Sequence, residues 1–260
     1  MPSWRQVAIE SWQRFGEYLP EMQRPWSAAL VWGGFVVVQG VALSVALVIT
    51  RSAPHGALLA QGLLIIWGAV WMYGGFWRHR VSYRQRYGMQ AYRLLFVRFL
   101  FPALTVLAAA AIFPVFVPGP PLLPPIVAYG AAAYLLVTME LMALRGADLF
   151  WNVDVRAFVY SVYPERGRVI TSGIFQWVRH PVYSAAVRMT IGLAALRNNL
   201  DAFLCAALIA VAAVAWAGVE ERALEERDPQ YADYRQRVAA FCVRTPIGFW
   251  RYLLTGRSAR

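Results

Sequence analysis

Long apolar runs alternate along the chain with short, arginine-bearing polar stretches. That alternation predicts an all-α fold, a polytopic transmembrane helical bundle. A helix needs about 20 apolar residues to cross a bilayer. Four runs approach or exceed that length, at residues 28–50, 57–77, 99–117 and 126–144. A last pair, 183–196 and 200–219, reads as a C-terminal helical hairpin turning at Arg197-Asn198-Asn199. About six spans result, and the first arm of the hairpin is short for a full crossing. Pro102 and Pro114 are expected to kink or bound the third span. Residues 1–27 mix Trp4, Trp12 and Trp26 with Arg and Glu and read as an amphipathic, interfacial segment. Three regions follow: 1–27, a four-span region 28–144, and a C-terminal region 145–260 that holds a polar stretch, the hairpin and a polar tail.

Composition strengthens this reading. Hydrophobic residues make up 59% of the chain and charged residues 15%, against about 25% charged in a soluble domain. The net charge is +11, and every positive side chain is Arg. With six crossings and both ends inside, 22 of 25 Arg fall on one side. That asymmetry predicts cytoplasmic termini, in a bacterial inner membrane, and makes lipid headgroups rather than nucleic acid the partner of the basic charge. The stretch 78–98 is expected to be an orienting, lipid-contacting loop. Cys205 and Cys242 give no disulfide framework, and Cys205 reads as a small core residue. His55, His79 and His180 are scattered, so no metal site is expected. No GxGxxG loop, P-loop or nucleophile elbow is present.

The candidate chemistry lies in Gly167-Arg-Val-Ile-Thr-Ser-Gly-Ile-Phe-Gln-Trp-Val-Arg-His-Pro-Val-Tyr183. Pro181 fits the first turn of the hairpin helix. His180 and Tyr183 then share one face, and the open N–H groups of that turn suit a carboxylate. An interfacial belt of Arg179, His180 and Tyr183 is the alternative reading. The hairpin should return Glu220 and Glu221 close to His180. Such a pair holds an ammonium or ribose hydroxyls, or simply ends a helix in water. Two charges fall inside apolar runs. Arg188 either binds an anionic group of a substrate or cofactor, or is a structural partner of a carboxylate such as Glu140, or snorkels to the interface. Glu140 carries the same two readings.

The segments TSGIFQWVRHPVYS and EERALEERDPQYADYRQRV, joined by an apolar hairpin, resemble the isoprenylcysteine carboxyl methyltransferase and phospholipid methyltransferase superfamily of integral membrane enzymes. The family pattern runs roughly TSGxYxxxRHPxYxG, then EExxL, then YxxYxxRV. The resemblance covers about 167–238 and implies a site for S-adenosyl-L-methionine at the cytoplasmic face. By it, Gly167, Arg168, Val169, Ile170, Phe175, His180, Pro181, Val182, Tyr183 and Glu220 would contact the cofactor. Glu220 takes the family's cofactor position because Leu224 follows four residues later. Glu221 or Tyr234 would serve as a general base if the acceptor arrives protonated.

Several positions depart from the pattern. Trp216 stands where the isoprenylcysteine enzymes carry a substrate-binding Arg. Phe175 replaces a Tyr, Ala185 a Gly, and Asp228-Pro229 a Phe-Gly turn. The expected activity is methyl transfer to a lipophilic or membrane-accessible small substrate, with Arg188, Trp216 and Glu140 as candidate substrate contacts. One rival is an NADPH-dependent reductase of the sterol-reductase type, where Val182 would be Asn. Another is a non-catalytic lipid-binding scaffold.

Overall fold

The computed structural model describes residues 13, 16–145, 158–166 and 169–256. Among these residues the α-helices are α1 Pro25–Ser52, α2 Gly56–Ala69, α3 Arg78–Tyr87, α4 Ala91–Leu95, α5 Phe101–Ile112, α6 Pro125–Arg145, α7 Pro181–Arg197, α8 Leu200–Arg227, α9 Tyr231–Arg237 and α10 Pro246–Thr255. Among the described residues there is no strand. The helical membrane bundle expected from the apolar pattern is the architecture found.

Four helical runs are long and apolar enough to cross a bilayer: Pro25–Ser52, Gly56–Phe116, Pro125–Arg145 and Leu200–Arg227. The 61-residue run Gly56–Phe116 reverses at Gly88, whose φ of 54° suits glycine. Its two legs pack together, α2 against α5, so the run supplies two apolar legs. The short arm α7 packs tightly on α6 and α8. At 17 residues it spans about 25 Å.

The stretch 78–98 is not a loop, as the polar composition suggested, but continues the helices beyond the apolar runs. Arginine is a good helix former, and aromatic neighbours hold these side chains: Arg80 lies 4.4 Å over the Trp77 ring. Both legs pass through π-helical turns, Val70–Trp77 and Phe96–Leu100, which meet each other. Pro102 sits in the first turn of α5, and Pro114 opens the short 3₁₀ turn Phe113–Phe116 that ends the leg.

The hairpin turn falls where the sequence placed it. Asn198 adopts a left-handed conformation, φ 56°, which Asn tolerates better than most residues. Asn199 caps α8 by accepting from the Ala202 N–H at 2.9 Å. It also donates to the Val117 carbonyl at 2.9 Å, tying the turn to the end of the α5 leg. Cys205 is fully buried, with Sγ 3.6 Å from the Ala57 carbonyl.

Most of the N-terminal segment lies outside the described residues. Its described end docks on the bundle: Leu19 is buried, and the Tyr18 ring meets Tyr92 and Tyr163 at 6.0 and 6.4 Å.

Candidate functional site

The site is assembled where α7 begins and α8 outlives its apolar run. Residues 179–180 run beside the strap 239–241: Arg179 N–H donates to the Ala239 carbonyl at 2.9 Å and His180 N–H to Ala240 at 3.1 Å. Pro181, in the first turn of α7, needs no hydrogen bond there. The His180 ring stacks between Tyr183 at 5.6 Å and Phe241 at 5.8 Å. It is 5% exposed, held in a slot of rings.

Glu220 and Glu221 ride on the last two turns of α8 and meet this slot from the other side. Glu221 Oε1 lies 2.8 Å from His180 Nε2 and 2.8 Å from Arg179 Nη2. Arg235 Nε reaches Glu221 Oε2 at 3.2 Å. Burying one carboxylate is tolerable here because several cationic or polar donors converge on it. Arg179 spends its remaining donors on the Arg235 carbonyl, at 2.7 Å, and on the Val238 carbonyl. This clasp ties the start of α7, the end of α8 and the exit of α9 together.

Glu220 is set differently. Its Oε2 stands 3.8 Å from His180 Nδ1, beyond hydrogen-bond length. A carboxylate only accepts, so the contact to Glu221 places a proton on His180 Nε2. In the neutral ring Nδ1 is then an acceptor, and it faces a second acceptor. A donor placed between them, an ammonium or a hydroxyl, would satisfy both.

A cavity of about 1100 Å³ opens from this point. That is just above the roughly 300–1,000 Å³ usual for one small ligand. Its polar end is lined by Arg179, His180, Glu220, Arg227, Asp228, Tyr231 and Tyr234. From there it runs into an apolar corridor between Phe101, Leu104 and Ala108 of α5, Ala186 and Met189 of α7, and Ile209, Ala213 and Trp216 of α8. Trp32 of α1 and Tyr73 of the π-helical turn complete the wall. The cavity therefore draws on both 28–144 and 145–260.

Of the residues expected to hold a cofactor, Val169, Ile170, Phe175, His180, Pro181, Val182, Tyr183 and Glu220 all line this cavity. Gly167 and Arg168 lie outside the described residues. Trp216, expected at a substrate, also lines it. The other two substrate candidates do not. Glu140 is exposed on α6, and Arg188 turns away from the cavity to bond the Ser184 carbonyl at 3.1 Å and the Ser184 hydroxyl. The two residues expected as general bases are engaged elsewhere. Glu221 is held in the clasp just described. Tyr234 donates to the Phe175 carbonyl at 2.6 Å. Burial pushes the Tyr231 and Tyr234 phenols well above their ordinary range; Arg179 offsets part of that at both, and Glu221 adds to it.

Sequence reasoning passed over Arg235, Tyr73 and Phe241. Arg235 falls one residue beyond Tyr234 in a recognised motif, a usable signal. Tyr73 is one aromatic among many in an apolar run. Phe241 belongs to an irregular strap with no period to read.

The helical bundle thus encloses a bipartite cavity, polar at one end and apolar along the rest. A family model described as phospholipid methyltransferase matches residues 129–228, from α6 to the end of α8. The match covers less than half of the chain and agrees with the membrane methyltransferase superfamily that the motif resembled, as the four helical runs apolar enough to cross a bilayer agree with an integral membrane protein. No curated protein and no solved structure matches the chain.

Proposed function

We propose that the protein transfers a methyl group from S-adenosylmethionine to a lipophilic acceptor that enters from the bilayer. The observation that carries this reading is the placement of His180 Nδ1 and Glu220 Oε2, 3.8 Å apart, at the polar end of an apolar cavity.

The residues present fit this cofactor. Glu220 and His180 offer acceptors for an ammonium or ribose hydroxyls. The first-turn N–H groups of α7 offer donors for a carboxylate. Phe175, Tyr183 and Trp216 line the cavity, and their ring faces suit a cationic centre. When bound, S-adenosylmethionine supplies a methyl group on a cationic sulfur, which a nucleophilic heteroatom can take directly.

The task of the chain is then orientation and the exclusion of water. The clasp of Arg179, Glu221 and Arg235 fixes the ring of His180 and the start of α7. Tyr234 fixes the Phe175 backbone. Trp216, Ala186 and Met189 form an apolar approach for the acceptor. Neither Glu221 nor Tyr234 acts as a base in this account. A protonated acceptor would meet Glu220 first, the carboxylate that faces the cavity.

Orientation follows the arginines. The Arg-rich helix α3, the clasp and the tail share one side, which we place in the cytoplasm. The four-span region 28–144 closes the corridor, and 145–260 holds the cofactor. Methyl-labelled S-adenosylmethionine given to the purified chain in lipid nanodiscs tests the activity. Label in the lipid-extractable fraction is the expected result, and label only in water-soluble products would contradict a lipophilic acceptor.

A further inference from the structure

Arg188 lies in the third turn of α7, on the side opposite the cavity. Val182, Tyr183, Ala186 and Met189 form the cavity face of this helix, and positions 184 and 188 fall about half a turn away. On one flank Gly192 packs beneath Leu135 and Leu136 of α6. On the other, the Ser184 hydroxyl donates to the Phe241 carbonyl of the strap at 2.9 Å. Arg188 therefore sits in a cleft between α6 and the strap that leads into α10.

The guanidinium is half-buried, and among the described residues its hydrogen bonds go to Ser184 alone. No carboxylate among the described residues pairs with it; the ionisable groups close enough to act on it are Cys242 and Tyr134. A guanidinium carries five donors. One placed seven residues into α7 is about 10 Å below the polar end, where an unpaired charge is costly and marks a site. Tyr134, one of the two groups acting on Arg188, has its ring 5.7 Å from that of Trp250. Residues 239–256 contain Arg244 and Arg251 and no Asp or Glu.

We propose that this cleft holds the phosphate of an anionic phospholipid, from the leaflet on the Arg-rich side, at a site separate from the methyl-transfer cavity. Arg188 supplies the charge-assisted hydrogen bonds. The absence of acid along 239–256 favours a headgroup with net negative charge over a zwitterionic one. Ser184 bonds both Arg188 and the strap, and the strap's Phe241 stacks on His180. Lipid in the cleft thereby braces the slot that holds His180.

The test uses the full chain in phosphatidylcholine nanodiscs, with phosphatidylglycerol added. Binding is expected to weaken about five-fold in Arg188→Gln, the loss of one cationic contact, and to survive in Arg188→Lys. Equal binding in Arg188→Gln and wild type would overturn the proposal. Wild type alone provides a second reading that needs no folded variant. Cys242 is exposed and Cys205 buried, so a thiol reagent reports on Cys242. Phosphatidylglycerol should slow its labelling, while further phosphatidylcholine or inorganic phosphate should not. An unchanged rate would overturn the proposal. Equal slowing by inorganic phosphate would make this a soluble-anion site and overturn the lipid assignment.

Discussion

His180 and Glu221 are 41 positions apart in the chain and 2.8 Å apart in space, Nε2 against Oε1. The α7–α8 hairpin makes this contact: Asn198 and Asn199 set the turn at the far side of the bundle, and two antiparallel helices return the carboxylate to the ring. Because Glu221 also binds Arg179 and Arg235, the contact works as a structural clasp. The neighbouring Glu220 is the one that lines the cavity.

Breaking the clasp on one side should be costly. Glu221→Gln leaves the buried Arg179 without its carboxylate, a loss of roughly 3–5 kcal/mol, and Arg179→Gln should cost less because Glu221 keeps His180 and Arg235. The double variant should cost less than the sum of the singles, because it removes both charges together. Unfolding of the four proteins in detergent measures this, and strict additivity would show that the two side chains do not act as a pair.

Tyr234→Phe should lower stability by about 1 kcal/mol, since the Phe175 carbonyl loses its donor. The pH profile of methyl transfer should keep its shape. Burial raises the phenol above its ordinary range, so it stays protonated through neutral pH and cannot be the group whose deprotonation sets an alkaline rise. Loss of a basic limb in this variant would return Tyr234 to the role of base.

The hairpin turn offers a test remote from the site. Asn199→Ala removes a helix cap and the bond to the Val117 carbonyl, about 1–2 kcal/mol. Asn198→Val places a β-branched residue at positive φ and should also destabilise, whereas Asn198→Gly should be tolerated. Thermal unfolding reads all three. Destabilisation by Asn198→Gly equal to that by Asn198→Val would mean that the side-chain bonds to Leu123, not the backbone conformation, set the turn.

Narrowing the corridor should separate cofactor from acceptor. Ala186→Phe adds a ring on the cavity face of α7. Turnover of a lipophilic acceptor should fall at least about ten-fold, equivalent to roughly 1.4 kcal/mol, while affinity for S-adenosylmethionine stays near wild type. An equal loss of both would place the cofactor itself in the corridor.

Much of this arrangement is legible in the sequence because bilayer physics writes it there. Apolar length marks the spans, and Asn198-Asn199 marks the turn. The RHPxY and EExxL spacings bring His180, Tyr183 and Glu220 to one cavity. What the sequence misplaces are side-chain directions that depend on packing. The two glutamates are adjacent, and a helix turns about 100° between neighbours, so one faces the cavity and the other the Arg179 guanidinium. Their assignment needs the crossing geometry of α7 and α8. Arg188 is conspicuous as a charge in an apolar run, yet only the packing of Gly192 against α6 shows that it points away from the cavity. The helical state of 78–98 is hidden because polar composition alone cannot distinguish a loop from a helix that continues beyond the bilayer.

The proposed function stands or falls on whether Glu220 and His180 together receive S-adenosylmethionine. Calorimetric titration of the cofactor into purified protein, with Glu220→Ala and His180→Ala beside it, tests this most directly. Saturable binding to wild type should be lost in both folded variants. Wild-type affinity retained in Glu220→Ala, or no binding to well-folded wild type, would contradict it.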